Sequence, residues 1–145
     1  MSENLWGMEP IEPLSEESPR KIVADQAALL QKITGGAVFG TVENADKKEL
    51  PFPFNQKDFL LALTVFSPKL DGYSKRFFCF GYGIDMYSVD FTNIIGCNPT
   101  FIKSCANEQE LKTFLKQIFS SDAVRKLISA MITQVRELED FKAAG

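Results

Sequence analysis

The sequence contains no histidine. Histidine supplies the base of Ser-His-Asp and Cys-His catalytic sites, so these sites are excluded within one chain. Most transition-metal sites are excluded with them, because histidine is the commonest protein ligand of these metals. Three cysteines, Cys79, Cys97 and Cys105, are an odd number and lack a Cys-x-x-Cys spacing, which favours buried, reduced thiols over a disulfide framework or a metal site. Catalysis by carboxylates or lysine stays open, but we expect no enzymatic activity, no cofactor and no metal.

Long apolar runs and basic clusters are missing as well. No stretch approaches the roughly 20 apolar residues of a membrane-spanning helix, and the first residues do not resemble a secretory signal. The net charge is -3, the sequence pI is near 5.0, and no run of lysine and arginine is longer than two. Binding to nucleic acid through phosphate neutralisation therefore has little support. We expect a cytoplasmic protein that binds neither membranes nor nucleic acid.

The charge is unevenly distributed along the chain. Residues 1–17, called the arm below, hold five acids and no base, and Pro10 and Pro13 exclude a regular helix across them. Its apolar side chains either lie across the same domain or dock on a neighbouring molecule. Residues 18–145 are enough for one domain with a sizeable core. The apolar side chains that we predict to contact a partner are Leu5, Trp6, Met8, Ile11 and Leu14.

Three helices are predicted from capping residues and apolar periodicity. Ser18 and Pro19 are typical of a helix start, and Gly35-Gly36 of a helix end, so the first helix is expected at 19–34. Asn107 with Glu110 resembles a capping box that opens a second helix. A Ser-Ser-Asp break at 120–122 precedes a third helix with apolar residues at 0, 3, 4, 7, 8, 11 and 14 from position 124.

Between the first and second helices the pattern predicts a small, mostly antiparallel sheet of three to five strands. Its centre is a hairpin over 58–84, with strands at 58–66 and 76–84, followed by a strand at 86–91; a buried helix is the competing interpretation of 58–66. A strand at 37–43 with a bulge at Gly40, and a short strand at 100–103, complete the set. The prolines of 50–54 predict a loop or edge held by Phe52 and Phe54. The expected fold class is α+β, in a single domain.

Within these elements, three sequence patterns resemble catalytic or binding sites. Asp85 and Asp90 flank a predicted strand, but their odd spacing places them on opposite faces, so solvated strand ends are favoured over a shared site. Gly81 and Gly83 form a Gly-x-Gly that lacks the third glycine of a dinucleotide loop, and close packing explains it better. The aromatic residues of 77–87 resemble a platform for nucleic acid bases, yet they lack a basic rim, so core packing is favoured.

The last helix, of about 20 residues, is longer than the strands of a small sheet, so Leu138 and Phe141 near its end are further candidates for partner contact. In size, low pI and amphipathic ends the chain is similar to small acidic secretion chaperones and other small α+β adaptor or assembly proteins, although no residue motif is shared. We expect a non-catalytic interaction protein that binds another protein or copies of itself. The alternatives are a small-molecule-binding domain with an apolar pocket near Gly81 and Gly83, and an inhibitor or immunity-type protein that blocks a basic site.

Overall fold

The computed structural model describes residues 3–7 and 10–144. In these residues, one N-terminal helix precedes a five-stranded sheet, and two helices follow it, so the predicted α+β class is confirmed. The elements are α1 (Pro19–Ile33), β1 (Phe39–Asn44), β2 (Phe59–Phe66), β3 (Ser74–Tyr82), β4 (Val89–Thr92), β5 (Lys103–Cys105), α2 (Glu108–Phe119) and α3 (Asp122–Ala144).

The first two helices begin where their capping residues predict. The Ser18 hydroxyl accepts a hydrogen bond from the Lys21 amide at 3.2 Å, and the Asn107 side chain accepts one from the Glu110 amide at 2.9 Å. The Glu110 carboxylate in turn accepts a hydrogen bond from the Ala106 amide at 3.0 Å, an arrangement similar to a capping box. These bonds satisfy amides that a helix start otherwise leaves without partners.

The sheet is antiparallel throughout, and its spatial order follows the chain from β1 to β5. Strand β2 therefore lies inside the sheet, as its apolar sequence predicts, and the interpretation of 58–66 as a helix is wrong. The connections between neighbouring strands range from 6 residues between β3 and β4 to 14 residues between β1 and β2. The helices pack on one face of this meander.

The main core lies between the sheet and the helices. Strand β2 contributes Leu61, Leu63 and Val65, which are nearly inaccessible to solvent. Aromatic rings fill the centre, where the centroids of Phe78 and Phe91 lie 5.1 Å apart in an edge-on arrangement. Apolar side chains of all three helices close this core from the other side: Ile22, Val23, Ala27, Leu30, Leu111, Leu115, Ile118, Val124, Met131 and Val135.

Strand β3 departs from the simple alternation that its sequence suggests. Leu63 pairs with Phe78 and Thr64 with Arg76, so Phe77 is an extra residue at an irregularity in the register. Its side chain joins the helix-side core instead of facing away with Cys79, and its carbonyl accepts a hydrogen bond from the Ile95 amide at 2.8 Å. A bulge therefore places two consecutive phenylalanines on one face.

The other face of the sheet is covered in part by the connection between β1 and β2. Leu50 and Phe54 from this connection pack with Ala62 and Cys79 in a second, smaller core. Phe54 is 2% exposed, but Phe52 is 79% exposed, so only one of the two phenylalanines predicted to hold this segment does so. Short helical turns at Lys47–Glu49 and Phe54–Gln56 replace the extended edge.

Gly40 does not mark a bulge, because the residues of β1 pair with β2 without interruption. A Cβ atom at this position would lie 3.1 Å from the Ala27 Cβ and 3.2 Å from the Ala27 carbonyl oxygen. The glycine instead allows α1 to approach β1 closely.

Several strand ends differ from those predicted. The strand predicted at 86–91 is reduced to β4 at Val89–Thr92, because Met86 has a left-handed backbone with φ of 78° and cannot extend the ladder. The strand predicted at 76–84 ends at Tyr82, and Ile84 beyond its end is 77% exposed. The short strand predicted at 100–103 is found at Lys103–Cys105, because a turn at Asn98 holds Thr100 through two hydrogen bonds.

Candidate interaction surfaces

The described part of the arm, residues 3–7 and 10–17, contains neither helix nor strand. Leu5 and Trp6 are 84% and 81% exposed, and Ile11 and Leu14 are 60% and 67% exposed. The backbone amide of Trp6 donates a hydrogen bond to the Asn4 side chain at 2.9 Å. Met8, the fifth apolar side chain predicted to contact a partner, lies outside the described residues.

The arm therefore does not bury these four side chains on its own domain. Large apolar side chains that are exposed singly are common, but four within ten residues of an extended segment form a concentrated apolar surface. The acids of the arm alternate with them, which keeps the segment hydrated. The arrangement suits a segment that becomes ordered against another surface.

The far end of α3 forms a second exposed region. The helix has 23 residues and is about 35 Å long, whereas the 8 residues of β2 span about 26 Å. Val135 is the last buried residue of α3, and every side chain described after it is exposed. Phe141 is 78% exposed and Leu138 is 39% exposed, so the two residues that we predicted at this end lie on the surface.

An apolar cavity of about 470 Å³ lies between α3 and the connection from β2 to β3. Leu127, Met131 and Leu138 line it from the helix, and Leu70 and Tyr73 line it from the connection. An ion pair between Lys69 and Glu139 joins the two elements at its edge and lowers the pKa of the Glu139 carboxyl. Leu138 thus belongs to the wall of a cavity as well as to the exposed end.

A second hollow, which we call the basic groove, has a volume of about 540 Å³ and lies between α1, α2 and the start of α3. The buried side chains of Ile22 and Leu115 form its floor, and Phe119 is half-buried beside them. Ile33, at the last turn of α1, is 75% exposed at its margin. The floor of the groove is therefore apolar.

Basic side chains surround this floor. Lys112, Lys116 and Arg125 line the groove, and none of its lining residues in the described part of the chain is acidic. Lys112 contacts Glu108 on the same helix at 3.7 Å, but Lys116 and Arg125 form no ion pair with any residue in 3–7 or 10–144. An apolar floor with positive charge at its margin fits a ligand that combines apolar and acidic groups.

The residues of the sequence patterns that resembled catalytic or binding sites make ordinary structural contacts. Asp90 accepts a hydrogen bond from the Ser104 hydroxyl at 2.6 Å and lies 3.5 Å from the Lys57 ammonium, whereas Asp85 lies beside Gly83 in the turn before β4. A Cβ atom at Gly81 would lie 3.0 Å from the Leu60 Cδ2 and 3.2 Å from the Lys57 Cγ, so these two side chains pack closely against the glycine. The two cavities described above are lined by other residues than Gly81 and Gly83.

The three cysteines differ in exposure. Cys79 and Cys105 are buried, and burial raises the pKa of both thiols, which keeps them protonated near neutral pH and poorly nucleophilic. Cys97 is exposed, contrary to the expectation of a buried thiol. Burial likewise raises the pKa of Tyr87 to about 12, and its hydroxyl has no hydrogen-bond partner in the part of the chain that the structure describes.

Among residues 3–7 and 10–144, no group of three or more cysteine, aspartate or glutamate side chains is placed to hold a metal ion. In the same residues, no helix combines the length and the apolar character needed to cross a bilayer.

The fold and these surfaces define a small α+β protein with a helix-covered antiparallel meander and an exposed apolar arm. Comparisons with protein-family models, with curated proteins and with solved structures found no match to the chain.

Proposed function

We propose that this chain is a non-catalytic interaction protein, a subunit or adaptor of a larger assembly, which binds another polypeptide through its arm. The observation that supports this most directly is the exposure of Leu5, Trp6, Ile11 and Leu14 on a segment without regular structure. The end of α3, with Phe141, supplies a second contact.

Burial of the apolar side chains of the arm on a partner provides a sufficient driving force for association. A tryptophan side chain buries roughly 150–250 Å², which at about 25 cal/mol per Å² is worth roughly 4–6 kcal/mol before the cost of association. Tryptophan is also enriched among the residues that dominate binding energy. Trp6 is therefore the expected anchor, and Leu5, Ile11 and Leu14 extend the contact.

The chemistry of the arm favours binding over catalysis. Pro10 and Pro13 fix two backbone φ angles and reduce the entropy lost when the arm becomes ordered. Glutamates between the apolar residues supply charge that can select a basic partner surface. None of these features needs a cofactor or a reactive group.

Photo-cross-linking tests the proposal. A photoreactive phenylalanine analogue is placed at position 6 of the full chain, and as a control at position 52, where Phe52 is similarly exposed outside the arm. After irradiation in an extract of the cells that make the protein, position 6 should give a discrete adduct with a polypeptide. An adduct no stronger than that from position 52 would contradict the proposal.

The apolar cavity beside α3 supports a second candidate function, the binding of a small apolar molecule. Its volume of about 470 Å³ falls in the range of roughly 300–1,000 Å³ that is usual for such sites. A ligand that fills it should raise the melting temperature of the chain but not that of Ala130→Trp, in which a large side chain at an exposed lining position takes up the cavity. Equal shifts in both proteins would exclude the cavity as the site.

A further inference from the structure

We infer that the basic groove receives the arm of a second copy of this chain, so that two copies exchange arms in a homodimer. This inference rests on the proposed function, because it names the partner and the surface that the arm binds. It is carried by the match between an acidic, apolar segment and a basic, apolar groove within one sequence.

The two surfaces are complementary in charge and in character. The arm carries five acids and no base, while Lys116 and Arg125 line the groove without ion-pair partners among the described residues. The groove holds about 540 Å³, enough for an aromatic anchor such as Trp6. Burial of that ring against Ile33 would cover two of the most exposed apolar side chains of the chain at once.

Strand addition at a sheet edge is a poorer use of this arm. Pro10 and Pro13 remove two backbone donors from its middle, and an added strand needs those donors for its ladder. A groove that binds side chains places no such demand on the backbone. The arm therefore fits a helix-lined groove better than the open edges at β1 and β5.

None of the arm residues that the structure describes, 3–7 and 10–17, lines the groove of the same chain, although the arm is long enough to reach it. Seventeen extended residues span up to roughly 60 Å, whereas α1, with 15 residues, is only about 22 Å long. In the structure Trp6 and Ile33 are both exposed. If two copies exchange arms, the arm and the basic groove of each copy are both covered. The exchange has two-fold symmetry and leaves no free arm or groove, so assembly stops at a dimer.

A charge-swap experiment tests this inference on the full chain. One variant carries Glu3→Lys, Glu9→Lys and Glu12→Lys, which leaves the arm with two acids and three bases. The other carries Lys116→Glu and Arg125→Glu, which reverse the two unpaired charges of the groove. A control matched to the groove variant, Lys47→Glu with Lys48→Glu, makes the same change of net charge as that variant at exposed residues outside the groove.

Masses are measured by sedimentation equilibrium from about 1 to 200 μM. The wild type and the Lys47/Lys48 control should be dimers of 2 × 16.2 = 32.4 kDa. Each charge-swapped variant alone should dissociate with a Kd at least about tenfold higher, because like charges then meet in both of its contacts. An equimolar mixture of the two variants should regain the dimer, since each arm then meets a groove of opposite charge.

Three results would overturn the inference: a monomeric wild type at 200 μM, a wild-type dimer that neither charge swap weakens, or variants that fail to recover the dimer when mixed. Circular dichroism confirms that each variant remains folded, and the two variants alter separate parts of the chain.

Cross-linking from position 6 then separates the two proposals. An adduct with a different polypeptide would retain the proposed function without the dimer, and no adduct would remove both.

Discussion

Replacing Gly40 by alanine tests the close contact between α1 and β1 on which the helix-side core depends. The added methyl group would lie 3.1 Å from the Ala27 Cβ and 3.2 Å from both the Cα and the carbonyl oxygen of the same residue. These are atoms of the helix backbone or fixed to it, so no rotation of a side chain can relieve the contact. The helix must move away from the sheet instead.

The size of the effect follows from two opposing contributions. Overpacking of a well-filled contact costs roughly 1–3 kcal/mol, and replacing glycine by alanine within a strand returns about 0.5–1 kcal/mol. We therefore expect Gly40→Ala to lower the free energy of unfolding by about 1–2 kcal/mol, and the melting temperature by roughly 2–6 °C.

Gly81→Ala in β3 is the matched control. Its methyl group would approach the Leu60 Cδ2 at 3.0 Å and the Lys57 Cγ at 3.2 Å, which are atoms of side chains that can rotate. Its unfolding free energy should therefore stay within about 0.5 kcal/mol of the wild type. Urea denaturation of both variants measures the difference. If Gly40→Ala were as stable as Gly81→Ala, the close approach of α1 to β1 would be refuted.

Further predictions concern single side chains. Tyr87→Phe should stabilise the fold by up to about 1 kcal/mol, because it removes a buried hydroxyl that lacks a partner among the described residues. Burial raises the pKa of Tyr87 from 10.0 to about 12, so its hydroxyl ionises at lower pH in the unfolded chain than in the folded one. Wild-type stability should therefore fall between pH 10 and 12 by roughly 1–2 kcal/mol more than that of the variant. Parallel urea titrations across this range would show equal losses if the reasoning were wrong. Phe54→Ala should cost about 3–5 kcal/mol and Phe52→Ala less than about 0.5 kcal/mol in the same assay, and similar losses would contradict the second core. Asn107→Ala should cost about 1 kcal/mol, and an unchanged melting temperature would show that its cap does not contribute.

The helices were predictable because their signals are local. Ser18 and Asn107 act through hydrogen bonds that reach only three residues along the chain, so their sequence context already contains the partners. The apolar residues that recur at helical spacing from Val124 likewise identify one face of a helix. The β2 strand was predictable for a related reason, since apolar residues at successive positions are typical of a strand with both faces covered.

Non-local packing explains the predictions that were wrong. A glycine inside a strand signals either a bulge or a close neighbour, and only the position of Ala27 decides between them at Gly40. The bulge at Phe77 carries no glycine at all and depends on the pairing of β3 with β2. Phe52 and Phe54 have nearly the same local sequence, yet only Phe54 meets the second core.

The candidate interaction surfaces show the same division. The arm was recognisable in sequence because its acids and apolar residues are contiguous. The basic groove was not, since Ile33, Lys116 and Arg125 belong to three different helices and form no cluster along the chain. Spacing of Lys112 and Lys116 by four residues places both on one side of α2, but only the fold shows which apolar surface they border.

Removing the arm tests the central claim most directly. The chain starting at Ser18 is compared with the full chain by light scattering at a concentration where the full chain is a dimer, and by thermal unfolding at a dilution where the full chain is dissociated. We predict that truncation leaves the melting temperature within about 2 °C of that of the dissociated full chain, because no core residue is lost, and that it reduces the mass from a dimer to a monomer. A truncated chain that unfolds without cooperativity would show that the arm belongs to the core, and one that keeps the mass of the full chain would show that the arm is not the element of assembly.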